Sequence, residues 1–408
     1  MNHELKTNHK SRATSHVYAA VMTGKGVGAI STIQVFGEKA EAIIKKIFKT
    51  AGTKPVIFRP GKILLGQIVD GSETIDQVTI GCEGPGNYAI SCHSNPIIVE
   101  ITMKLLQQHG VKLLKTEQLL YKILSFEEKS INTIALEAKL VQPKARTLEG
   151  TKIVINQIDT GLNRIATKWQ KNINTISINE ITAKAKWILQ RSQTAKLIIA
   201  GGTAVIVGAP NSGKSTLLNC LAGRQKAIVT NIKGTTRDYI STRCKMGSLS
   251  IKLIDTAGLD KNLITTQNTL EKTFQEKTVQ LLEDADLVLL VLDNNQDKNQ
   301  LDEKLLERVT NKKVLTILNK SDLPVRFDIN KLPKSLSNTT LISAKFETGI
   351  EELIKKIQQL CGTTNFDLKN AVCFTSRQEN LLKQLANTET KQSAASIITE
   401  LLNGQFCV

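Results

Sequence analysis

An apolar run from Leu197 to Val207 leads into Gly208-Ala209-Pro210-Asn211-Ser212-Gly213-Lys214-Ser215, and a helical pattern, Thr216 to Leu221, follows. This is a complete G-x-x-x-x-G-K-[ST] loop in the strand–loop–helix setting that such a loop requires. It commits this part of the chain to an α/β sheet with a phosphate cradle at a strand end. Gly208 and Gly213 let the backbone curl so that N–H groups point inward at phosphate oxygens. Lys214 is expected to reach the β and γ phosphates, and the Ser215 hydroxyl to ligate magnesium. Asn211, Ser212, Gly213 and Thr216 complete the candidate contacts of the loop.

Four downstream segments make the same claim in order. After an apolar strand, Leu249 to Ile254, comes Asp255-Thr256-Ala257-Gly258. A carboxylate at a strand end holds the magnesium hydration shell, and Gly258 lets a backbone N–H meet the γ-phosphate. The next run, Ala285 to Leu292, carries no motif and reads as core. Val314 to Leu318 then delivers Asn319-Lys320-Ser321-Asp322, whose final carboxylate accepts from the N1–H and 2-amino group of guanine. Adenine offers neither donor, so Asp322 would face ATP as an unpaired buried charge. Ser343-Ala344-Lys345 suits a last loop touching the guanine O6. The base is read as guanine.

Between the loop and Asp255 lies Thr230-Asn231-Ile232-Lys233-Gly234-Thr235-Thr236-Arg237-Asp238, where one threonine is expected to complete the magnesium shell in a nucleotide-sensing switch. Leu259 stands where many GTPases carry a glutamine that orients the attacking water. Leucine cannot do that work, so hydrolysis must recruit another group or be slow.

The run Gly208 to Asn219, the segment Ala227 to Asp238 and Asp255 to Leu259 together resemble the potassium-activated tRNA-modification GTPases of the MnmE/TrmE type. Phe406-Cys407-Val408 is similar to that family's Phe-Cys-[IV]-Gly-Lys ending. Tyr18 to Gly37, with Gly24-Lys25-Gly26-Val27-Gly28, resembles its opening strand and Gly-rich turn. Cys92-His93-Ser94-Asn95-Pro96 stands in for a Gly-His-Gly-Gly-Pro loop. The resemblance implies a potassium site formed by Asn211, Thr230, Ile232 and Thr235, with Thr236 on magnesium beside Ser215 and Asp255. It further implies dimerisation through the N-terminal domain, a flavin-protein partner, a folate one-carbon donor and tRNA wobble uridine as the target.

Four departures mark the chain as a divergent relative. The family's water-positioning glutamate falls at Thr266, or at Gln267 if the gap is placed differently; neither is a base, though Gln267 can orient a water. Lys233 occupies a potassium-loop position that is otherwise small or apolar. The family's Pro-Gly-Glu-Phe…Arg-Ala-Phe-Leu-Asn segment is missing, and Leu113 to Lys139 reads as polar and apolar alternation. The helical tail after Cys361 is short and lacks the final Gly-Lys, which bears on whether Cys407 retains a catalytic role. These changes leave nucleotide binding intact and leave open an RNA-binding assembly GTPase, or a GTP-binding scaffold, as alternatives.

Composition limits the partners. The formal charge is +17, and residues 1–200 contribute +12 of it against +5 from residues 201–360. The excess therefore lies outside the nucleotide domain, where a folded RNA would dock. Aromatic content of only 4% speaks against base stacking as the main mode of RNA contact. Apolar runs are too short to span a bilayer, Met1 to Ser15 is polar and expected to fray, and no secretion signal is read there. Seven cysteines without a C-x-x-C pair suit a reducing cytoplasm, with Cys82, Cys220 and Cys244 as core residues. Cys92 and His93 are not read as a nucleophile–base pair, because strand neighbours face opposite ways.

The expected architecture is an α/β P-loop GTPase domain inserted in a helical domain and preceded by a small α+β domain. The predicted limits are a tail at 1–15, the α+β domain at 16–114, helices at 115–200, the GTPase domain at 201–361 and further helices at 362–408. Ala40 to Ile47, Glu351 to Leu360, Ser376 to Ala386 and Ser393 to Leu402 are predicted helices, with Gly362 ending the second. Trp169 and Trp187 are placed in the core of the helical part.

Overall fold

A computed structural model describes residues 16–24, 28–50, 52, 56–127, 132–224, 240–255, 280–296, 300, 309 and 312–404. The fold divides into two compact units, which meet in sequence between Ile131 and Asn132.

The first unit is built on a seven-stranded sheet in the order β3-β4-β5-β6-β2-β1-β7. Its strands are β1 (Tyr18–Val21), β2 (Ile30–Phe36), β3 (Phe48–Thr50), β4 (Ile63–Asp70), β5 (Glu73–Gly84), β6 (Asn87–His93) and β7 (Lys112–Leu113). All neighbours are antiparallel except β1 and β7. Along β5, Asp76, Val78, Ile80 and Cys82 are buried, and Glu73, Gln77 and Glu83 are exposed. That alternation is what a half-covered antiparallel sheet demands of its sequence. The covering helices are α1 (Ala40–Ile47) and α2 (Pro96–Gln108); Asn95 caps α2 by accepting from the Ile97 N–H. Helix α3 (Thr116–Glu127) also belongs here, because Leu119 and Ile123 pack with Ala20 and Phe36. The sequence places that helix with the helical region; its apolar stripe packs on the sheet instead.

The second unit opens with α4 (Thr133–Val141), α5 (Leu148–Asp159), α6 (Leu162–Lys171) and α7 (Ile178–Ala200). Helix α4 buries almost its whole length. The chain then forms a six-stranded sheet from β8 (Gly202–Val207), β9 (Ile240–Met246), β10 (Leu249–Asp255), β11 (Leu287–Asp293), β12 (Val314–Asn319) and β13 (Thr339–Leu341). Their order is β13-β12-β11-β8-β10-β9, parallel throughout except for β9 against β10. Every residue of β11 and β12 is buried, as expected for strands covered on both faces. Helices α8 (Lys214–Arg224), α9 (Ile350–Leu360), α10 (Ser376–Ala386) and α11 (Lys391–Asn403) also belong to the unit. Gly362, at φ +69°, follows α9 in the left-handed conformation that ends a helix.

The expected strand from Leu197 to Val207 is corrected. Helix α7 runs through Ala200, and only Gly202 onward is strand. Gly201 makes the corner at φ +81°, where a Cβ would lie 2.4 Å from the Ser250 carbonyl oxygen. An apolar run cannot by itself mark a helix-to-strand change, since both sides are buried.

One apolar core joins α5, α6, α7, α10 and α11 to one face of this sheet and contains Trp169, with Trp187 packed at its margin. Inside it, Glu137 of α4 is fully buried and accepts from Arg377 Nε and Nη2 at 2.9 and 2.8 Å. Thr375 Oγ1 and Gln378 Nε2 donate to the same carboxylate at 2.9 and 2.6 Å. The remaining Arg377 donors reach the Glu400 and Leu401 carbonyls at the end of α11.

Cys82, Cys220 and Cys244 are buried as expected, and so are Cys92, Cys361 and Cys373. Burial pushes the thiols of Cys244 and Cys361 up to about 11, so neither is a thiolate at neutral pH.

Candidate nucleotide site

The site forms at the C-terminal ends of parallel strands, where α/β sheets place their ligands. Strand β8 delivers the loop 208–213, and α8 begins at Lys214. Three of its residues have positive φ: Gly208 at +148°, Asn211 at +62° and Gly213 at +98°. Two glycines are forced by neighbours as well as by φ. A Cβ on Gly208 would lie 2.1 Å from the Val291 carbonyl oxygen, and one on Gly213 2.1 Å from Asn319 Nδ2.

Lys214 is buried, and its ammonium donates to the Gly208 and Ala209 carbonyls at 2.7 and 3.0 Å. Those bonds hold the cation inside the loop, where phosphate charge would be met. Among the described residues, the buried Ser212 hydroxyl has no hydrogen-bond partner. A buried hydroxyl left so costs on the order of 1–3 kcal/mol unless a ligand answers it. Ser215 Oγ donates to Asp255 Oδ2 at 2.6 Å, with Asp255 buried at the end of β10. Two hard oxygen donors converging beside a phosphate loop fit magnesium.

The base end is assembled by Asn319. Its Nδ2 donates to the Ser212 carbonyl at 2.9 Å, and its Oδ1 accepts from the Ala344 N–H at 3.0 Å. One buried amide therefore ties the phosphate loop, the end of β12 and the last loop together. Lys320, at φ +64°, pairs with Asp293 Oδ2 at 2.6 Å. Asp322 accepts from the Ser343 hydroxyl at 2.6 Å. Asp322 is exposed. Lys345 is exposed, with its ammonium 5.1 Å from the Phe346 ring centre.

The sequence reading passed over Asp293. Its backbone N–H donates to Gln300 Oε1 at 2.7 Å, and its carboxylate holds Lys320. The available signal was a carboxylate directly after six apolar residues, at the same end of the sheet as Asp255.

Thr230, Ile232, Thr235, Thr236, Gly258, Thr266, Gln267 and Cys407 lie outside the described residues. Cys92 and His93 face opposite ways as expected: Cys92 is buried and donates to the Ser31 carbonyl, while His93 Nδ1 lies 2.7 Å from Asp76 Oδ1. Among the described residues no group of three or more His, Cys, Asp and Glu could hold a metal.

A family model described as a 50S ribosome-binding GTPase matches residues 203–320. The tRNA modification GTPase MnmE of Enterococcus faecalis is 30% identical, covering 95% of this chain and 88% of that protein. Its counterpart in Lachnoclostridium phytofermentans is 30% identical, covering 96% and 92%. This chain belongs to the MnmE family of tRNA modification GTPases. Among solved structures, Era in complex with MgGDPNP and nucleotides 1506–1542 of 16S ribosomal RNA is 29% identical. It covers 39% of this chain and 56% of that one with a TM-score of 0.31, and it adds nothing to the MnmE assignment. Among the described residues no helix is long and apolar enough to cross a membrane.

Proposed function

We propose that this chain binds and hydrolyses GTP and acts in the modification of tRNA wobble uridine. The observation that carries the nucleotide part is the Asn319 amide, which joins the phosphate loop to the guanine-reading loop. Lys214 and the loop N–H groups hold the phosphates, and Asp322, oriented by Ser343, reads the base. Ser215 and Asp255, with Thr236, hold magnesium, which when bound neutralises charge on the β and γ phosphates.

In the same reading Asn211, Thr230, Ile232 and Thr235 hold potassium, and the water is oriented by Gln267 or, in the other register, faces Thr266. Asn211 holds a positive φ within the phosphate loop, a backbone conformation of the kind kept at ligand sites, which supports a ligand role there. A homodimer, a flavin-protein partner, a folate one-carbon donor, a cytoplasmic location and a functional Cys407 belong to this proposal on family membership.

Hydrolysis by the purified chain in potassium against sodium chloride, at equal ionic strength, tests the cation role. Faster turnover in potassium, abolished in Lys214→Ala, is the expected result. Equal rates in both salts would remove potassium, and GTP binding without turnover would turn the reading to a scaffold or assembly switch.

A further inference from the structure

We infer that the exposed basic face of α6 is a contact for the phosphate backbone of folded RNA; this rests on the tRNA reading above. Arg164, Lys168 and Lys171 are all exposed and follow one another at i, i+4 and i+7. At 100° per residue they share an arc of about 60° and span about 10 Å of helix. No Asp or Glu occurs from Thr160 to Asn179, and none of the three cations forms an ion pair among the described residues. A further cation, Lys391, reaches this end of α6 by donating to the Asn174 carbonyl at 2.7 Å.

Helix stability does not account for the row. Lys168 and Lys171 lie in the last turn, where the helix dipole favours cations. Arg164 lies in the first turn, where the same dipole opposes one. The surroundings decide between RNA and protein as partner. No large apolar side chain is exposed between residues 160 and 177, and the other exposed residues there include Gln170, Asn172, Asn174 and Thr175. A protein interface needs an apolar centre. A phosphate backbone is met by Arg and Lys with Asn, Gln and Thr beside them.

The test is the affinity of the full chain for an unmodified tRNA transcript over a range of salt. The triple variant Arg164→Gln, Lys168→Gln, Lys171→Gln is expected to bind about 10- to 100-fold more weakly near 0.1 M salt. Its log–log salt slope should fall by about 3. Basal GTP turnover without RNA and Tm should not change. A charge-matched variant, Lys39→Gln, Lys46→Gln, Lys62→Gln, should bind like wild type. Should the triple variant unfold, Arg164→Gln alone should still weaken binding about threefold. If wild type binds tRNA and the triple variant matches it, or the charge-matched variant loses as much, the surface is elsewhere and the tRNA reading stands. A wild-type chain that ignores tRNA ends that reading and this surface together.

Discussion

Two polar clusters of the second unit are built on opposite plans. Around Glu137 both carboxylate oxygens are answered by Arg377, Thr375 and Gln378, all from the chain itself. At the phosphate loop the Ser212 hydroxyl is buried with nothing to bond among the described residues, and three residues of the loop, Gly208, Asn211 and Gly213, lie at positive φ. A cluster that satisfies itself can only hold the fold; it joins α4 to α10 and to the end of α11. A cluster that leaves a buried donor waiting, and that strains its backbone, keeps its binding energy for a ligand.

That contrast can be broken from either side. Asp322→Asn should have the largest effect, because guanine loses two charge-assisted hydrogen bonds, each worth about 1.5–3 kcal/mol. GTP affinity should fall by roughly 10²- to 10⁴-fold in a direct titration, with Tm of the ligand-free protein unchanged. Arg377→Met should do the reverse. It strands the buried Glu137 carboxylate and should cost about 3–5 kcal/mol in chemical denaturation, with GTP affinity of the folded protein intact. A loss of GTP affinity there would mean that the two clusters are coupled.

The smallest effect sharpens the comparison at the helical surface. Glu379 accepts from Lys196 and from Lys383, and the Lys196 bond chiefly holds its carboxyl below the usual value. A depressed carboxylate stabilises the fold above its unfolded pKa, about 4.3, and that contribution is lost as pH falls through the folded value. Lys196→Met should therefore cost at most about 1 kcal/mol near pH 7. Paired denaturations should show the difference closing below about pH 4.

How much was legible follows from how local each feature is. The phosphate loop, Asp255 and the segment from Asn319 to Asp322 were readable because each lies on a strand end marked by an apolar run. Helices α1 and α10 were readable by their apolar period. The end of α7 was not, since Leu197 to Val207 is apolar on both sides of the Gly201 corner and buried in either conformation. Helix α4 lies in the stretch 115–200 that reads as helical, but its own limits were not legible, because a helix buried nearly all round shows no amphipathic period.

The sequence by itself determined the nucleotide chemistry: a lysine and serine after a glycine loop, a carboxylate after one strand and Asn-Lys-Ser-Asp after another permit few other ligands. Tertiary structure decided the rest. It brought Asn319 onto the Ser212 carbonyl and Arg377 onto Glu137, across 107 and 240 residues of chain. It also gave Asp293 a partner and α3 a sheet to pack on. Such pairings depend on which strand ends and helix faces become neighbours, and no local pattern of side chains encodes that.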